Sequence, residues 1–154
     1  MARVVFMCGP AGSGKSTVAR RMEADGFVRL SFDQEAWERG IRHMPLTDDA
    51  NREIEIQLRR RLVDLVEGGH EVVLDFSFWS RAMREEWRQV LEPFGVVPET
   101  IYLPTDRATC LRRVEARGRT HDGDFDLDAA TAATYFDHFE TPDPDEGPVI
   151  VLEV

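Results

Sequence analysis

The chain carries, near its N-terminus, Gly9-Pro10-Ala11-Gly12-Ser13-Gly14-Lys15-Ser16, a complete G-x-x-x-x-G-K-S sequence. The apolar run Val4 to Cys8 precedes this motif and predicts a buried strand, and the run Thr17 to Glu23 predicts the helix that follows. A phosphate-binding loop requires this context, because its glycines turn backbone N–H groups inward at the N-terminus of a helix. The sequence therefore predicts a site for the phosphates of a nucleotide.

Two side chains of the motif have predicted roles of their own. Lys15 is expected to reach the β- and γ-phosphates, and the Ser16 hydroxyl is expected to take a coordination site on Mg²⁺. A glycine-rich turn with an exposed lysine is the alternative, and the flanking strand and helix disfavour it. The predicted nucleotide-binding residues are Gly9, Pro10, Ala11, Gly12, Ser13, Gly14, Lys15, Ser16 and Thr17.

Length and charge limit the class of protein. A chain of 154 residues with 42% hydrophobic residues predicts a single α/β domain over residues 1–154. The formal net charge of −10 disfavours unaided binding to nucleic acid or to an anionic membrane surface. No apolar run approaches the roughly 18 residues that a membrane span needs, and no signal-peptide pattern is visible. We expect a cytoplasmic protein whose Cys8 and Cys110 are buried and reduced.

Aspartates follow two of the predicted strands. The stretch Phe27 to Phe32 alternates like a short strand and places Asp33 at its end, as a possible N-cap of a helix beginning at Gln34. The stretch Glu71 to Asp75 is an apolar run that ends in an aspartate, the form of a Walker B segment. Because ligands bind at the carboxyl ends of parallel strands, we expect both carboxylates at the nucleotide site. Asp33 is predicted to be the general base or acceptor-orienting residue and Asp75 the metal-side carboxylate, although these roles could be exchanged.

A later helix brings arginines towards the same site. Arg113 and Arg117 are four residues apart, so they share one helix face and could both point at a triphosphate. Positive charge there would neutralise the charge that develops on a transferred phosphoryl group. The alternative is that both are solvated helix arginines.

Apolar side chains outside the strands form two groups. Trp37, Phe78 and Trp79 flank the two aspartates, and they either line an acceptor pocket or belong to the core. A long helix capped by Thr47 carries an apolar stripe that predicts core packing, and Ser80 is predicted to cap a helix over Arg81 to Leu91. The residues of that stripe are Ile54, Leu58, Leu62, Leu65 and Val66.

Taken in order, these pieces resemble the small P-loop kinases of the AAA_33 or zeta-toxin-like group. That group also resembles chloramphenicol phosphotransferase and the kinase domain of polynucleotide kinases. The resemblance spans nearly the whole chain, and its most specific part is the phosphate-binding loop. It is carried by Cys8 to Arg21, Asp33, Val73-Leu74-Asp75 followed by Ser80-Arg81-Ala82-Met83-Arg84, Leu111 to Arg119, and Phe139-Glu140-Thr141-Pro142.

The resemblance implies a three-layer P-loop NTPase fold, with a five-stranded parallel sheet in the order 2-3-1-4-5, helices on both faces and a short arginine-bearing lid. It implies ATP as phosphoryl donor and Mg²⁺ as cofactor. Asp33 matches the acceptor-activating aspartate, Arg84 the arginine that follows the third strand, and Arg113 and Arg117 the lid arginines. We therefore expect Arg84, like Asp33, to contact the acceptor substrate. Phe76 to Trp79 replaces the small polar loop common in nucleic-acid-end kinases, which favours a more apolar acceptor pocket.

Three functions compete at this point. The favoured one is an ATP-dependent kinase, monomeric or homodimeric, that phosphorylates a hydroxyl of a small molecule such as an antibiotic, sugar or nucleoside. The second is a polynucleotide or RNA 5′-hydroxyl kinase, which would need a basic groove that the sequence offers only between Arg112 and Arg119. The third is a nucleotide-binding switch or partner-controlled ATPase, although no N-K-x-D or L-S-G-G-Q sequence supports the best-known types.

Overall fold

The structure is a computed structural model and describes residues 3–41, 46–117 and 129–153, with the side chain of Arg117 left out. Its strands are β1 (Val4–Cys8), β2 (Val28–Leu30), β3 (Val72–Leu74), β4 (Glu99–Tyr102) and β5 (Val149–Val151). All neighbouring strands pair in parallel, and the sheet has the order β2-β3-β1-β4-β5. The implied α/β fold and strand order are therefore confirmed.

Helices connect these strands, as parallel pairing requires. They are α1 (Lys15–Ala24), α2 (Phe32–Glu38), α3 (Asp48–Glu67), α4 (Arg81–Leu91), α5 (Arg107–Arg117) and α6 (Ala129–Asp137), with 3₁₀ turns at Glu92–Phe94 and Pro144–Glu146. The predicted caps of α3 and α4 are confirmed. The Thr47 hydroxyl accepts a hydrogen bond from the Ala50 N–H at 3.2 Å, and the Ser80 hydroxyl accepts one from the Met83 N–H at 3.1 Å.

The start of α2 differs from the prediction. The second strand ends at Leu30, and the Ser31 hydroxyl accepts a hydrogen bond from the Gln34 N–H at 3.2 Å. Ser31 is thus the N-cap, which corrects the interpretation of Asp33 as a cap. A serine in extended conformation can satisfy a free amide of the first turn, so the helix begins two residues earlier than predicted. Asp33 lies in that first turn, where its negative charge complements the helix dipole.

The sheet separates two apolar layers, because alternate residues of the central strand face opposite sides. Phe6 on one face packs with residues of α3 and α4, and Met7 on the other packs with residues of α1. On α3, the predicted stripe is confirmed, with four of its residues buried and Leu65 partly buried. Because β2, β3 and β1 are adjacent and parallel, their carboxyl ends lie side by side at one edge of the sheet.

The two cysteines are free and buried, as predicted. Burial raises the pKa of the Cys8 thiol to about 12, so this thiol stays protonated at neutral pH. Within the described ranges, none of the helices has the length and apolar character that crossing a membrane requires.

The α3 stripe gives a test of the fold. Leu58 is fully buried, whereas Ile56 on the same helix is 46% exposed. Leu58→Ala should lower the free energy of unfolding by about 2–5 kcal/mol, because it removes buried methyl groups and leaves a cavity. Ile56→Ala should change it by about 0.5 kcal/mol or less. Equal losses for the two variants in chemical denaturation would contradict this orientation of α3.

Candidate nucleotide-binding and phosphotransfer site

The loop between β1 and α1 has a backbone that only glycine suits. Gly12 and Gly14 have φ angles of 82° and 99°, in the left-handed region. A Cβ atom on Gly12 would lie 2.3 Å from the backbone oxygen of Cys110, and one on Gly9 would lie 2.4 Å from the Ser13 Oγ. Left-handed backbone therefore requires glycine at Gly12 and Gly14, and close packing requires it at Gly9 and Gly12.

Neighbouring segments hold this loop in place. The Gly9 N–H donates to the Ser77 carbonyl at 3.1 Å, which ties the loop to the segment after β3. The Thr105 hydroxyl donates to the Ser13 carbonyl at 2.8 Å, which ties it to the segment after β4. The Ser13 N–H donates to the Pro10 carbonyl at 3.1 Å inside the loop. The motif did not predict Ser77 or Thr105, because their contacts depend on the strand order.

A cavity of about 300 Å³ lies beside the loop. Lys15 is 9% exposed, and Arg113 on α5 donates from Nη1 to the Gly12 carbonyl at 3.2 Å. The cavity is lined by Gly12, Gly14, Lys15, Ser16, Thr17, Arg113 and Ala116. The structure thus brings the loop and Arg113 together across 101 residues of sequence. The side chain of Arg117 lies outside the described part of the chain.

The donors around this cavity fit phosphate. Gly14 makes no side-chain cap, so the first N–H groups of α1 lack a capping side chain. The Ser13 Oγ, which is buried without a hydrogen-bond partner among the described residues, lies beside Gly9 and is not part of the cavity lining. Helix N–H groups and a lysine are groups that bind phosphate oxygens. A second cavity of about 340 Å³ lies on the surface of α3 away from these groups, lined by Arg59, Arg60, Val63 and Asp64.

Asp75 directly follows β3, and its side chain is 1% exposed. Its Oδ2 accepts two hydrogen bonds from Arg29, from Nε at 2.9 Å and Nη2 at 2.6 Å. Its Oδ1 is buried and has no hydrogen-bond partner among the described residues. This oxygen and the Ser16 hydroxyl are of the type that Mg²⁺ prefers, so the residues fit the expected metal. The described residues include no group of three or more His, Cys, Asp or Glu side chains arranged to hold a metal ion.

The aromatic residues divide between core and surface. Phe78 is fully buried and stacks on Phe6 with ring centroids 4.3 Å apart, so it belongs to the core rather than to an acceptor pocket. Its φ of 50° lies in the left-handed region, which is unusual for a bulky residue. Trp79 follows and is 49% exposed. Trp37 is half-buried on α2, one turn after the exposed Asp33.

Arg84 occupies a different place from the one that the resemblance implied. Its side chain is 1% exposed, and its Nε donates to the Glu146 Oε1 at 2.8 Å. Its Nη1 donates to the carbonyls of Phe78 and Glu140 at 2.7 and 2.9 Å. The expected acceptor contact is thus replaced by an internal clamp, because these contacts engage the guanidinium on every side. Glu146 lies 62 residues further along the chain, so no local pattern could reveal this partner.

Charge on Glu146 supports this clamp. Burial alone would raise the pKa of the Glu146 carboxyl, but hydrogen bonds from Arg84 and from the Asp143 N–H outweigh it, and the pKa is lowered. Arg84 and a second arginine, Arg88, add charge attraction in the same direction. The clamp therefore holds the segment after β3, which supports the phosphate-binding loop through Ser77.

Fold and site together define the class: this is a P-loop protein of the nucleotide-binding type. The chain belongs to the AAA_33 family, described as an AAA domain, whose profile matches residues 4–142. This confirms the family that the sequence motifs indicated. A comparison with curated proteins gives no match.

Solved structures share this fold. A chain of the Pnkp1/Rnl/Hen1 RNA repair complex superposes with a TM-score of 0.77 at 15% identity, covering 89% of this chain and 43% of that one. A gluconokinase from Sinorhizobium meliloti 1021 gives a TM-score of 0.64 at 22% identity, and the match covers 99% of this chain and 82% of the gluconokinase. Kti12 from Chaetomium thermophilum in complex with ADP-AlF3 gives a TM-score of 0.71 at 15% identity, and the match covers 97% of this chain and 88% of Kti12. This chain thus spans less than half of the matched chain of the RNA repair complex, and at these low identities the superpositions show a shared fold alone.

The close approach at Gly12 can be tested against a glycine with free space around it. Gly12→Ala should weaken nucleotide binding and lower the melting temperature, because its Cβ would meet the Cys110 carbonyl at 2.3 Å. Gly26 has a φ of 106°, and a Cβ there would meet no atom within 4 Å, so Gly26→Ala carries only the backbone strain of about 1–2 kcal/mol. Nucleotide titration and thermal unfolding of both variants measure the difference. Equal losses of nucleotide affinity and melting temperature in the two variants would contradict the close approach between Gly12 and the Cys110 carbonyl of α5.

The Arg84 clamp predicts a particular pH dependence. Glu146→Gln should lower the free energy of unfolding at pH 7 by about 3–5 kcal/mol, because it leaves Arg84 as a buried charge without its partner. The folded pKa is below the ordinary value of 4.5, so the carboxylate stabilises above that pH and the stabilisation is lost as pH falls through the folded pKa. The difference between wild type and variant should therefore shrink below pH 4.5.

Denaturant unfolding from pH 7 to pH 3 measures this difference. Glu85→Gln on the exposed Arg81–Glu85 pair is the control, with an expected loss of about 0.5 kcal/mol or less. A difference for Glu146→Gln that stays constant across the acid range would contradict the assigned charge.

Proposed function

We propose that this protein is an ATP-dependent phosphotransferase that moves the γ-phosphoryl group to a hydroxyl of a small molecule. The supporting observation is the convergence of three segments. The phosphate-binding loop, Asp75 and α2 with Asp33 follow β1, β3 and β2, which are adjacent in the sheet. Parallel strands bring such segments to one edge, where ligands of this fold bind. A phosphate donor and an acceptor can therefore meet there.

Positive groups of the cavity would bind the donor. Lys15 is buried at the start of α1, and Arg113 reaches the loop from α5. Phosphoryl transfer depends on positioning and on neutralising charge, so these two cations supply most of what the reaction needs from the protein. Arg117 would add a third positive charge one helical turn further along α5.

Burial favours one assignment of the two aspartates. Asp75 is buried against Arg29, and together with Ser16 it would hold Mg²⁺, which supplies further charge neutralisation when bound. Asp33 is exposed in the first turn of α2, where an incoming acceptor can reach it. Asp33 would orient the acceptor hydroxyl and take its proton as the hydroxyl oxygen attacks the γ-phosphorus; the bond from the γ-phosphorus to the β,γ-bridging oxygen breaks, and ADP leaves.

The charge and the aromatic surface favour a small neutral or cationic acceptor. The net charge of −10 and the exposed Asp33 oppose a polyanion, whose binding depends on contacts between phosphates and basic residues. Trp79 presents about half of its surface and Trp37 is half-buried on α2, so both can contact an apolar face of an acceptor. The fold shared with a gluconokinase agrees with a small hydroxylated acceptor.

A transfer assay with γ-labelled ATP and Mg²⁺ tests this function. Aminoglycosides, nucleosides, sugars and 5′-hydroxyl oligonucleotides serve as acceptors. Lys15→Ala should abolish transfer, and Asp33→Asn should lower kcat by about 10²–10⁴-fold while ATP still binds. Asp49→Asn is the matched control, because Asp49 is also an exposed second residue of a helix and should leave kcat unchanged.

Each result of this assay has a distinct meaning. Label on one small-molecule class supports the proposal and identifies the acceptor. Label on oligonucleotides alone would replace it with a nucleic-acid 5′-hydroxyl kinase, the function suggested by the fold shared with an RNA repair complex. Label only as free phosphate would indicate an ATPase or switch. Full activity of Asp33→Asn would remove Asp33 from the role of base.

A further inference from the structure

We infer that Arg29 is a positioning residue of the phosphotransfer site, which fixes the Asp75 carboxylate so that one of its oxygens stays available to the metal. The inference rests on the metal-side role of Asp75 in the proposed function. It concerns a residue that no part of the motif includes, because Arg29 lies in the middle of β2. Asp75 lies 46 residues away in the chain.

Strand register brings the two side chains together. Arg29 is the register partner of Val73, and Asp75 lies two residues beyond Val73 on the same face of the sheet. The Asp75 N–H also donates to the Leu30 carbonyl at 2.8 Å, so β2 holds the backbone of this aspartate as well. The position of the carboxylate is therefore set by β2 through main chain and side chain.

Arg29 donates its hydrogen bonds to only one of the two carboxylate oxygens of Asp75. Both Nε and Nη2 of Arg29 donate to Oδ2 of Asp75, at 2.9 and 2.6 Å, in surroundings where the two side chains are 9% and 1% exposed. An arginine that only stabilises a buried carboxylate commonly donates to both oxygens in parallel. Here Oδ1 is left buried without a partner among the described residues. A buried acceptor without a partner destabilises the fold, and a metal's water shell would satisfy it.

Arg29 also reaches the helix that carries the proposed base. Its Nη1 donates to the Gln34 Oε1 at 2.7 Å, and Gln34 is the neighbour of Asp33 in the first turn of α2. One guanidinium thus contacts the metal-side carboxylate and the acceptor-side helix. Of these two contacts, the buried one with Asp75 carries the inference, because the Gln34 contact is exposed.

Nucleotide binding measured with and without Mg²⁺ tests this role separately from transfer. The probe is ADP, titrated into the protein by calorimetry in EDTA and then over a series of Mg²⁺ concentrations. Arg29→Met should weaken the Mg²⁺ affinity of the ADP complex by about 10- to 100-fold, as loss of a partner that orients a metal ligand does. The affinity for ADP in EDTA should stay unchanged. Arg29→Lys, which keeps the charge without the planar fork, should fall between wild type and Arg29→Met.

Four further variants, one of them a double variant, make the test specific. Asp75→Asn should lower the Mg²⁺ affinity, and adding Arg29→Met to Asp75→Asn should lower it no further, because both act through one carboxylate. Gln34→Leu removes the exposed contacts with Arg29 and Glu38 and should leave the Mg²⁺ affinity unchanged. Arg3→Met removes an arginine–glutamate pair at 2.8 Å with Glu99 at the other end of the sheet, and it should also have no effect.

The contrary outcomes are equally definite. If Arg29→Met weakens ADP binding in EDTA as much as with Mg²⁺, Arg29 acts only on the fold and the inference is wrong. It is also wrong if Arg29→Met and Asp75→Asn add fully in the double variant. If Asp75→Asn leaves the Mg²⁺ affinity unchanged, both the role of Asp75 and the inference fail, while label transfer to an acceptor would still support the proposed kinase activity. Should Arg29→Met not fold, a wild-type Mg²⁺ affinity for Arg29→Lys would overturn the inference.

Discussion

The whole site depends on the backbone of the loop between β1 and α1, which packs so closely at Gly9 and Gly12 that a Cβ atom has no room there. At Gly12 the loop meets the carbonyl of Cys110 at a distance that leaves no room for a Cβ atom. This contact brings α5 against the loop, and Arg113, one turn after Cys110, then reaches the Gly12 carbonyl. The glycines therefore do more than expose N–H groups to phosphate. They allow the helix that supplies a cation to approach the site.

A second layer of support lies behind the loop and is made of buried charge. The Arg84–Glu146 pair holds the carbonyl of Phe78, and the neighbouring carbonyl of Ser77 accepts the N–H of Gly9. Removing one member of such a buried pair leaves an uncompensated charge, so the pair constrains the segment strongly whatever its net contribution to stability. The positive φ of Phe78 persists because its ring and its carbonyl are both held.

Local sequence patterns predict what depends on local physics. The phosphate-binding loop, the caps at Thr47 and Ser80, and the apolar stripe of α3 follow from spacing within one or two turns of chain, and the structure has them where expected. The prediction of Asp33 as the N-cap of α2 is wrong. Ser31 and Asp33 are both good capping residues, and which of them caps the helix depends on where β2 stops pairing with β3. Long-range partners were beyond such patterns for a different reason. Arg29 joins Asp75 across 46 residues and Arg84 joins Glu146 across 62, so each pair depends on strand register or on the path of the chain between α6 and β5.

The distribution of charge explains how an acidic protein can still select phosphate. None of the ion pairs within the described residues includes Lys15, although it is 9% exposed and its desolvation is unfavourable without an anion. Arg113 contacts a carbonyl rather than a carboxylate, so it adds positive charge beside the same loop. The cavity is thus positive inside a chain of net charge −10. A positive cavity in an acidic chain favours a polyphosphate at this cavity over longer polyanions elsewhere, and this agrees with the proposed transfer from a nucleotide to a small, uncharged or cationic acceptor.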